Sequence, residues 1–425
     1  MGTTTKAKMK TNMFRSLALF IIHYSLSINV TAQQLSPSAR VSIITVAPGN
    51  ELYSSFGHTT IHVADPATGL DRNYNYGTFD FRTDNFYVKF LRGTLPYTLY
   101  VGDINREMYY WQYENRGVRE QYINFSPEQK QRLFDLLEEN YRPENRFYPY
   151  RFYYDNCSTR PRDMLAKATG GNLIFQNALD STKTFRQWMN DYLGEKPWER
   201  FGMNLAIGYP ADEQAGALRA MYLPNNLHDQ LARALIRQPN GQTKPAISDE
   251  QPLFVQANIA KKTVPIVLFP EFVFAVLGLL VGWLTVRQYR RQQARQPSGL
   301  VWLDRLLFSF LGLCGWLLLL LWVATDHGVT AWNPAILWLL PFHLPLIFWA
   351  TSKSRTTSQK RAYFGLTALL IIVGAVLSRV PGGADTLLAL TLLIRCVANL
   401  NPVFATSGLN RGQMIQLPEN PLPLA

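Results

Sequence analysis

The chain has 425 residues, enough for two domains, and a formal net charge of +12. Residues 1–32 carry four basic residues and no acid, residues 33–262 carry 26 basic against 25 acidic, and residues 263–425 carry 12 against 5. The excess therefore lies beside apolar segments, where it sets membrane topology, and the balanced middle has no basic stripe interleaved with aromatics, which argues against nucleic-acid binding. The three cysteines, two of them (Cys314 and Cys396) in apolar runs, and the six scattered histidines give neither a disulfide framework nor a metal-ligand spacing. No metal or other cofactor is expected.

Residues 1–32 read as a signal peptide, with Lys6, Lys8, Lys10 and Arg15 as its charged region and Val30-Thr31-Ala32 as a small-residue cleavage site. His23, Tyr24 and Ser25 interrupt its apolar core, so an uncleaved anchor is the alternative; either form exports the domain that follows, residues 33–238. In that domain the spacing predicts strands over 41–47, 59–64, 73–81, 97–101 and 118–125, with Asp65 to Gly69 as a turn. Ser126-Pro127-Glu128-Gln129 combines an N-cap, a proline at the first helical position and a capping box, and predicts a helix to about residue 140 with Leu133, Phe134, Leu136 and Leu137 inward. An aromatic-rich stretch, 147–154, leads to a second helix that stops at Gly170-Gly171. Residues 172–238 are mixed, and 239–262, rich at first in Pro, Gln, Ser and Asp, read as a linker.

Residues 263–402 predict an all-α membrane domain of five spans, at 264–286, 300–324, 335–350, 362–378 and 386–400. Two basic clusters, Arg287, Arg290, Arg291 and Arg295, then Lys353, Arg355, Lys360 and Arg361, fall on one side and mark it as cytoplasmic. The chain is then a multi-pass inner-membrane protein with residues 33–262 in the periplasm, 326–332 as an external loop, and 403–425 as a disordered cytoplasmic tail. Arg395 in the last span must snorkel or pair.

The candidate chemistry centres on Cys157 in Tyr154-Asp155-Asn156-Cys157-Ser158-Thr159-Arg160-Pro161. Proline is tolerated in the first helical turn, which puts Cys157 at a helix start, where unpaired N–H groups and the dipole favour thiolate. Most lone cysteines are structural. The catalytic reading gains from His58, which opens the strand Thr59-Thr60-Ile61-His62-Val63 and could act as base. His62 shares the face of His58 and reads as a surface or satisfied core residue. Asn75, on a neighbouring strand, is the candidate to orient the imidazole, and the Cys157 N–H the candidate oxyanion donor. Candidate binding residues are Arg160, which could hold an anionic headgroup or pair with Asp155 or Asp163, Tyr76 beside Asn75, and Asp326, His327 and Asn333 near the external loop.

The motifs FGHTTIHV, YNYG and YDNCSTRPRD, in that order and followed by a membrane domain with a DH…NP loop, resemble the lipoprotein N-acyltransferase family of Bacteroidota, Lnb. The His-before-Cys order also resembles the permuted papain-like thiol enzymes of the lecithin retinol acyltransferase type. The resemblance implies an α+β permuted papain-like domain followed by the all-α transmembrane domain. It further implies a Cys–His acyltransferase with His58 and Cys157 at the catalytic positions, a phospholipid acyl donor, and as acceptor the α-amino group of the diacylglyceryl-cysteine of lipoproteins. Asn75 matches a place that other polar groups, histidine among them, take in relatives. Two other readings compete: a membrane-tethered periplasmic Cys–His hydrolase of cell-wall peptides or lipids, and a non-catalytic binding module with a structural Cys157.

Overall fold

The computed structural model describes residues 33–258, 264–294, 296, 299–378 and 383–401. The expected signal peptide, the cytoplasmic tail and Arg295 of the first basic cluster lie outside the described residues.

Alternation with period two builds the N-terminal part. Its strands are β1 (Arg40–Val46), β2 (His58–Asp65), β3 (Leu70–Thr78), β4 (Pro96–Gly102), β5 (Val118–Ile123), β6 (Phe147–Pro149), β7 (Leu173–Ile174), β8 (Leu235–Arg237), β9 (Thr243–Pro245) and β10 (Ile247–Phe254). They form a seven-stranded antiparallel sheet in the order β10-β5-β1-β2-β3-β4-β6 and a small sheet β7-β8-β9. Ile43 faces Ile61, which faces Tyr74, while Ser42 faces His62, which faces Asn73. This register collects Val41, Ile43, Ile61, Val63, Tyr74 and Tyr76 on one buried face and polar side chains, Asn75 among them, on the other.

Both faces are covered. Of the helices α1 (Phe86–Leu91), α2 (Ile104–Tyr113), α3 (Pro127–Tyr141) and α4 (Thr159–Ala168), α3 and α4 pack Leu133, Phe134, Leu137, Met164 and Leu165 onto the apolar face. The predicted capping box of α3 is formed by Ser126 and Gln129. Helix α2 crosses the other face, with Ile104 and Trp111 against Ile44, Val46 and Val118. Residues 172–238 hold four more helices, α5 (Phe185–Tyr192), α6 (Pro197–Ala206), α7 (Gly216–Ala220) and α8 (Pro224–Leu231). The expected linker is corrected here: its residues 243–254 are the strands β9 and β10, so the folded domain extends to Phe254. Strand β10 is the sheet edge, where polar residues and proline are tolerated, and Pro252 sits in it opposite Arg119. Its Glu250 accepts hydrogen bonds from Gln121 and His228.

In the C-terminal part, α9 (Pro270–Gln293), α10 (Val301–Val323) and α12 (Thr357–Leu377) are, among the described residues, the three helices long and apolar enough to cross a membrane. Between the last two lies α11 (His343–Ala350), and α13 (Ala384–Leu400) ends the described chain. The third expected span, 335–350, is therefore not one helix: a 3₁₀ turn, Pro334–Leu337, precedes α11, and Pro341 between them cannot donate to a continuing helix. Irregular backbone among spans has to be covered by protein. Gly312 and Gly315 of α10 provide the cover, since a Cβ on either would collide with the backbone of Leu344 or Leu339. Arg395 is fully buried and pairs bidentately with Asp304, at 2.7 and 3.0 Å, while Thr285 and Gln288 accept from its Nη1.

The two parts meet at the loop after α10. Asp326 N donates to Arg92 O (2.7 Å) and Gly208 N to Val329 O (2.8 Å), and Asn333 Nδ2 donates to Leu205 O (2.7 Å). Breaking the Arg395–Asp304 pair by Asp304→Ala is expected to strand a buried charge and cost about 3 kcal/mol or more, read as a lowered unfolding midpoint of the full chain in micelles. Replacing both partners, Asp304→Leu with Arg395→Met, is expected to recover most of that loss. A double variant no more stable than the single one would contradict the pairing as the source.

Candidate active site

His58 is the first residue of β2, and its Nε2 lies 2.8 Å from Asn75 Oδ1 on β3. Helix α2 brings Glu107 to the far side of that amide: Oε1 accepts from Asn75 Nδ2 (3.1 Å) and Oε2 from Asn73 Nδ2 (2.6 Å). The carboxylate can only accept, so it turns the Asn75 NH₂ toward itself and the carbonyl oxygen toward His58. His58 must then donate from Nε2, which leaves the Nδ1 lone pair as the base. Burial holds the Glu107 pKa above the usual carboxylate value against the two amide donors.

Cys157 is placed by its neighbour. Asn156 Oδ1 accepts from the N–H groups of Ser158 (2.8 Å) and Thr159 (2.9 Å), capping α4, and its Nδ2 is anchored on Phe152 O and Tyr222 O, both at 2.8 Å. The Cys157 N–H has no hydrogen bond to another described residue and is available at the helix start. The backbone N–H of Thr59, the residue after His58, and the Tyr150 hydroxyl both favour the thiolate form of the sulfur. The thiol is thus seated against the first rung of β2. Thiol and imidazole are not hydrogen-bonded to each other among the described residues. Opposite the thiol, Gly77 takes a φ of +92° at a bulge between Tyr76 and Thr78. A Cβ there would lie 3.4 Å from Cys157 Cβ and 3.5 Å from the Tyr150 ring, so glycine keeps this side open. The Tyr148 hydroxyl is 4.0 Å from the same point and is buried without a partner among the described residues.

Burial dominates the electrostatics. It pushes the Cys157 thiol up to about 11, against the smaller opposing pull of the Thr59 N–H, and His58 down to about 4, against the bond to Asn75. The expectation of a thiolate is thereby corrected: the helix start favours the anion, but desolvation outweighs it. The resting pair is a neutral thiol and a neutral imidazole. Burial also holds the Tyr148 and Tyr150 hydroxyls well above the usual phenol value, so both remain protonated donors.

Of the expected residues, His58 and Asn75 are hydrogen-bonded, and Cys157 faces Gly77, two residues along β3 from Asn75. Arg160 is held bidentately by Asp155 (2.6 and 2.8 Å), with its guanidinium 3.5 Å from the Tyr148 ring centre, which is the ion-pair alternative. Tyr76 is buried on the opposite sheet face from Asn75, with its hydroxyl on Asn140 Oδ1 at 2.8 Å. Asp326 lies 3.4 Å from Arg151, His327 Nε2 donates to Leu91 O (3.0 Å), and Asn333 reaches Leu205 and Ala206, so these three fasten the two parts rather than line the thiol. His62 is satisfied by Glu120 and Asp71. The sequence reading missed Glu107, because α2 was not foreseen, and the two tyrosines, although they stand in the aromatic stretch just before Cys157.

Fold and site define a class: a mixed α/β domain with an antiparallel sheet, docked on a helical membrane domain. Residues 29–191 match the family model of the Lnb N-terminal periplasmic domain and residues 261–404 that of the Lnb transmembrane domain. The chain belongs to the Lnb family, as a membrane-associated protein with a periplasmic N-terminal domain. No curated protein and no solved structure matches it.

The reactivity of Cys157 is expected to follow the protonation of His58, which is neutral and competent above its lowered pKa and charged and inactive below it. Alkylation of Cys157 by a neutral reagent should hold its rate from pH 7 to about pH 5 and fall through about 4. An acid limb at the ordinary imidazole value of 6.5 would contradict this.

Proposed function

We propose that this protein transfers an acyl chain from a phospholipid to the α-amino group of the diacylglyceryl-cysteine that begins a lipoprotein, through an acyl thioester on Cys157. The observation that carries the reading is a buried thiol facing Gly77 of β3, with the oriented imidazole of His58 on the adjacent strand β2, in a domain fastened to membrane-crossing helices. The helix with a cysteine at its start, packed on an antiparallel sheet whose strand presents the histidine, supports a permuted papain-like architecture. The topology supports an inner-membrane protein with this domain in the periplasm.

The chemistry follows from the neutral pair. His58 Nδ1 takes the thiol proton as the sulfur attacks the ester carbonyl, and the Nε2–H bond to Asn75 stabilises the imidazolium that forms. The Cys157 N–H and the Tyr150 and Tyr148 hydroxyls are the donors for the developing oxyanion. Collapse breaks the ester C–O bond, and the imidazolium protonates the leaving lysophospholipid oxygen. The neutral amine then attacks the thioester, His58 accepts its proton, and the amide leaves as the proton returns to sulfur. The aromatic rings around the thiol limit water, which favours the amine over hydrolysis. Asp326, His327 and Asn333 hold the site at the membrane.

Incubating the full chain in phospholipid vesicles with a purified diacyl lipoprotein is expected to add one hydroxylamine-resistant acyl chain, seen by intact mass. Cys157→Ala and His58→Ala should each lose at least about a thousandfold in rate, with the double variant little worse, because such groups act as a unit. Release of free fatty acid alone, with acceptor present, would replace this reading by the hydrolase.

A further inference from the structure

Segment 79–92 carries apolar surface that the catalytic groups do not use. Helix α1 buries Phe86 yet leaves Tyr87 77%, Val88 56% and Leu91 63% exposed, and Phe81 just before it is 70% exposed. Such a cluster is unusual on a surface that faces only water. Its position says what covers it. The carbonyls of Leu91 and Arg92 accept from His327 Nε2 (3.0 Å) and Asp326 N (2.7 Å), only a few residues past the end of the membrane-crossing helix α10 at Val323. The patch is therefore continuous with the boundary of the membrane domain, and Arg92, exposed at its edge, suits phosphate headgroups.

From this patch an unbroken run of rings leads inward. Phe81 and Phe86 are 4.9 Å apart between centres, Phe86 and Phe79 5.8 Å, Phe79 and Tyr97 5.4 Å, and Tyr97 and Tyr150 4.5 Å. The last ring flanks the same point at Gly77 as Cys157 Cβ, the two lying 3.5 and 3.4 Å from where a Cβ would stand there. Rings at these separations touch, so they present one apolar surface from the exterior to the nucleophile, ending where Gly77 leaves room.

We infer that segment 79–91 sits in the outer leaflet of the bilayer that holds the spans, and that its aromatic run leads one phospholipid acyl chain to Cys157. The identity of that chain as the donor's rests on the acyl-transfer reading; the contact with lipid does not. Contact is tested with the full chain carrying Cys157→Ala, which performs no chemistry. The protein is placed in phosphatidylethanolamine and phosphatidylglycerol vesicles doped with a phosphatidylcholine bearing a diazirine on one acyl chain. Irradiation is expected to label peptides covering 79–97 as well as the spans. Adding Tyr87→Ser and Leu91→Ser should lower labelling of 79–97 by about tenfold, with labelling of the spans and the unfolding midpoint unchanged. In the otherwise native chain the same pair should slow acyl transfer from bilayer lipid by a similar factor. Labelling confined to the spans would overturn the inference while leaving the acyl-thioester chemistry standing, as would its suppression by a soluble protein partner. Labelling at 79–97 without any transfer would uphold the lipid contact and refute the reaction.

Discussion

The hydrogen bond between His58 Nε2 and Asn75 Oδ1 is the constraint on which the rest of the site depends. It is specified from both ends. The register of β2 on β3 brings the amide to the histidine, and Glu107 decides which way the amide points. Glu107 in turn is held by α2, whose Ile104 and Trp111 are packed on Ile44, Val46 and Val118. Apolar packing on the outer face of the sheet thus selects the imidazole tautomer, and with it the nitrogen left to act as base. A histidine without such a partner would divide its proton between its two nitrogens.

The second consequence is a choice between an ion pair and a neutral pair. Helix starts lower thiol pKa values, yet burial of Cys157 and His58 moves both groups toward neutrality. A neutral thiol is less open to adventitious electrophiles and oxidants, and on the proposed reading it becomes nucleophilic as its proton passes to His58 during attack. The same exclusion of water protects a thioester. On the acyl-transfer reading, burial that looks unfavourable for a nucleophile in isolation suits one that holds an acyl chain until a lipid-anchored amine arrives.

Much of this was legible in the sequence, and the parts that were not share physical causes. The first five strands declare themselves because one face is apolar and the other polar. The start of α4 is marked by Asn156 and Pro161, whose roles are local. Helix α2 escaped because it buries only Ile104 and Trp111 and exposes most of its remaining residues, so its apolar stripe is too thin to read. Strand β10 resembled a linker because a sheet edge tolerates Ser248, Asp249, Glu250 and Pro252. The break in the third span was not foreseen because the close approach at Gly312 and Gly315 that covers it before Pro341 comes from another helix. The thiolate expectation failed for a similar reason: the dipole follows from local sequence, whereas desolvation depends on what the fold brings from elsewhere.

Whether Cys157 carries the acyl chain is the question on which the account turns, and peptide-level mapping of the intermediate answers it most directly. The full chain is incubated with phospholipid labelled in its acyl chain, without acceptor, and digested. The label is predicted on the peptide containing Cys157, released by neutral hydroxylamine, and discharged into an amide when diacyl lipoprotein is added before digestion. Transfer of label to the lipoprotein with Cys157 never labelled, or label held at another residue, would contradict it.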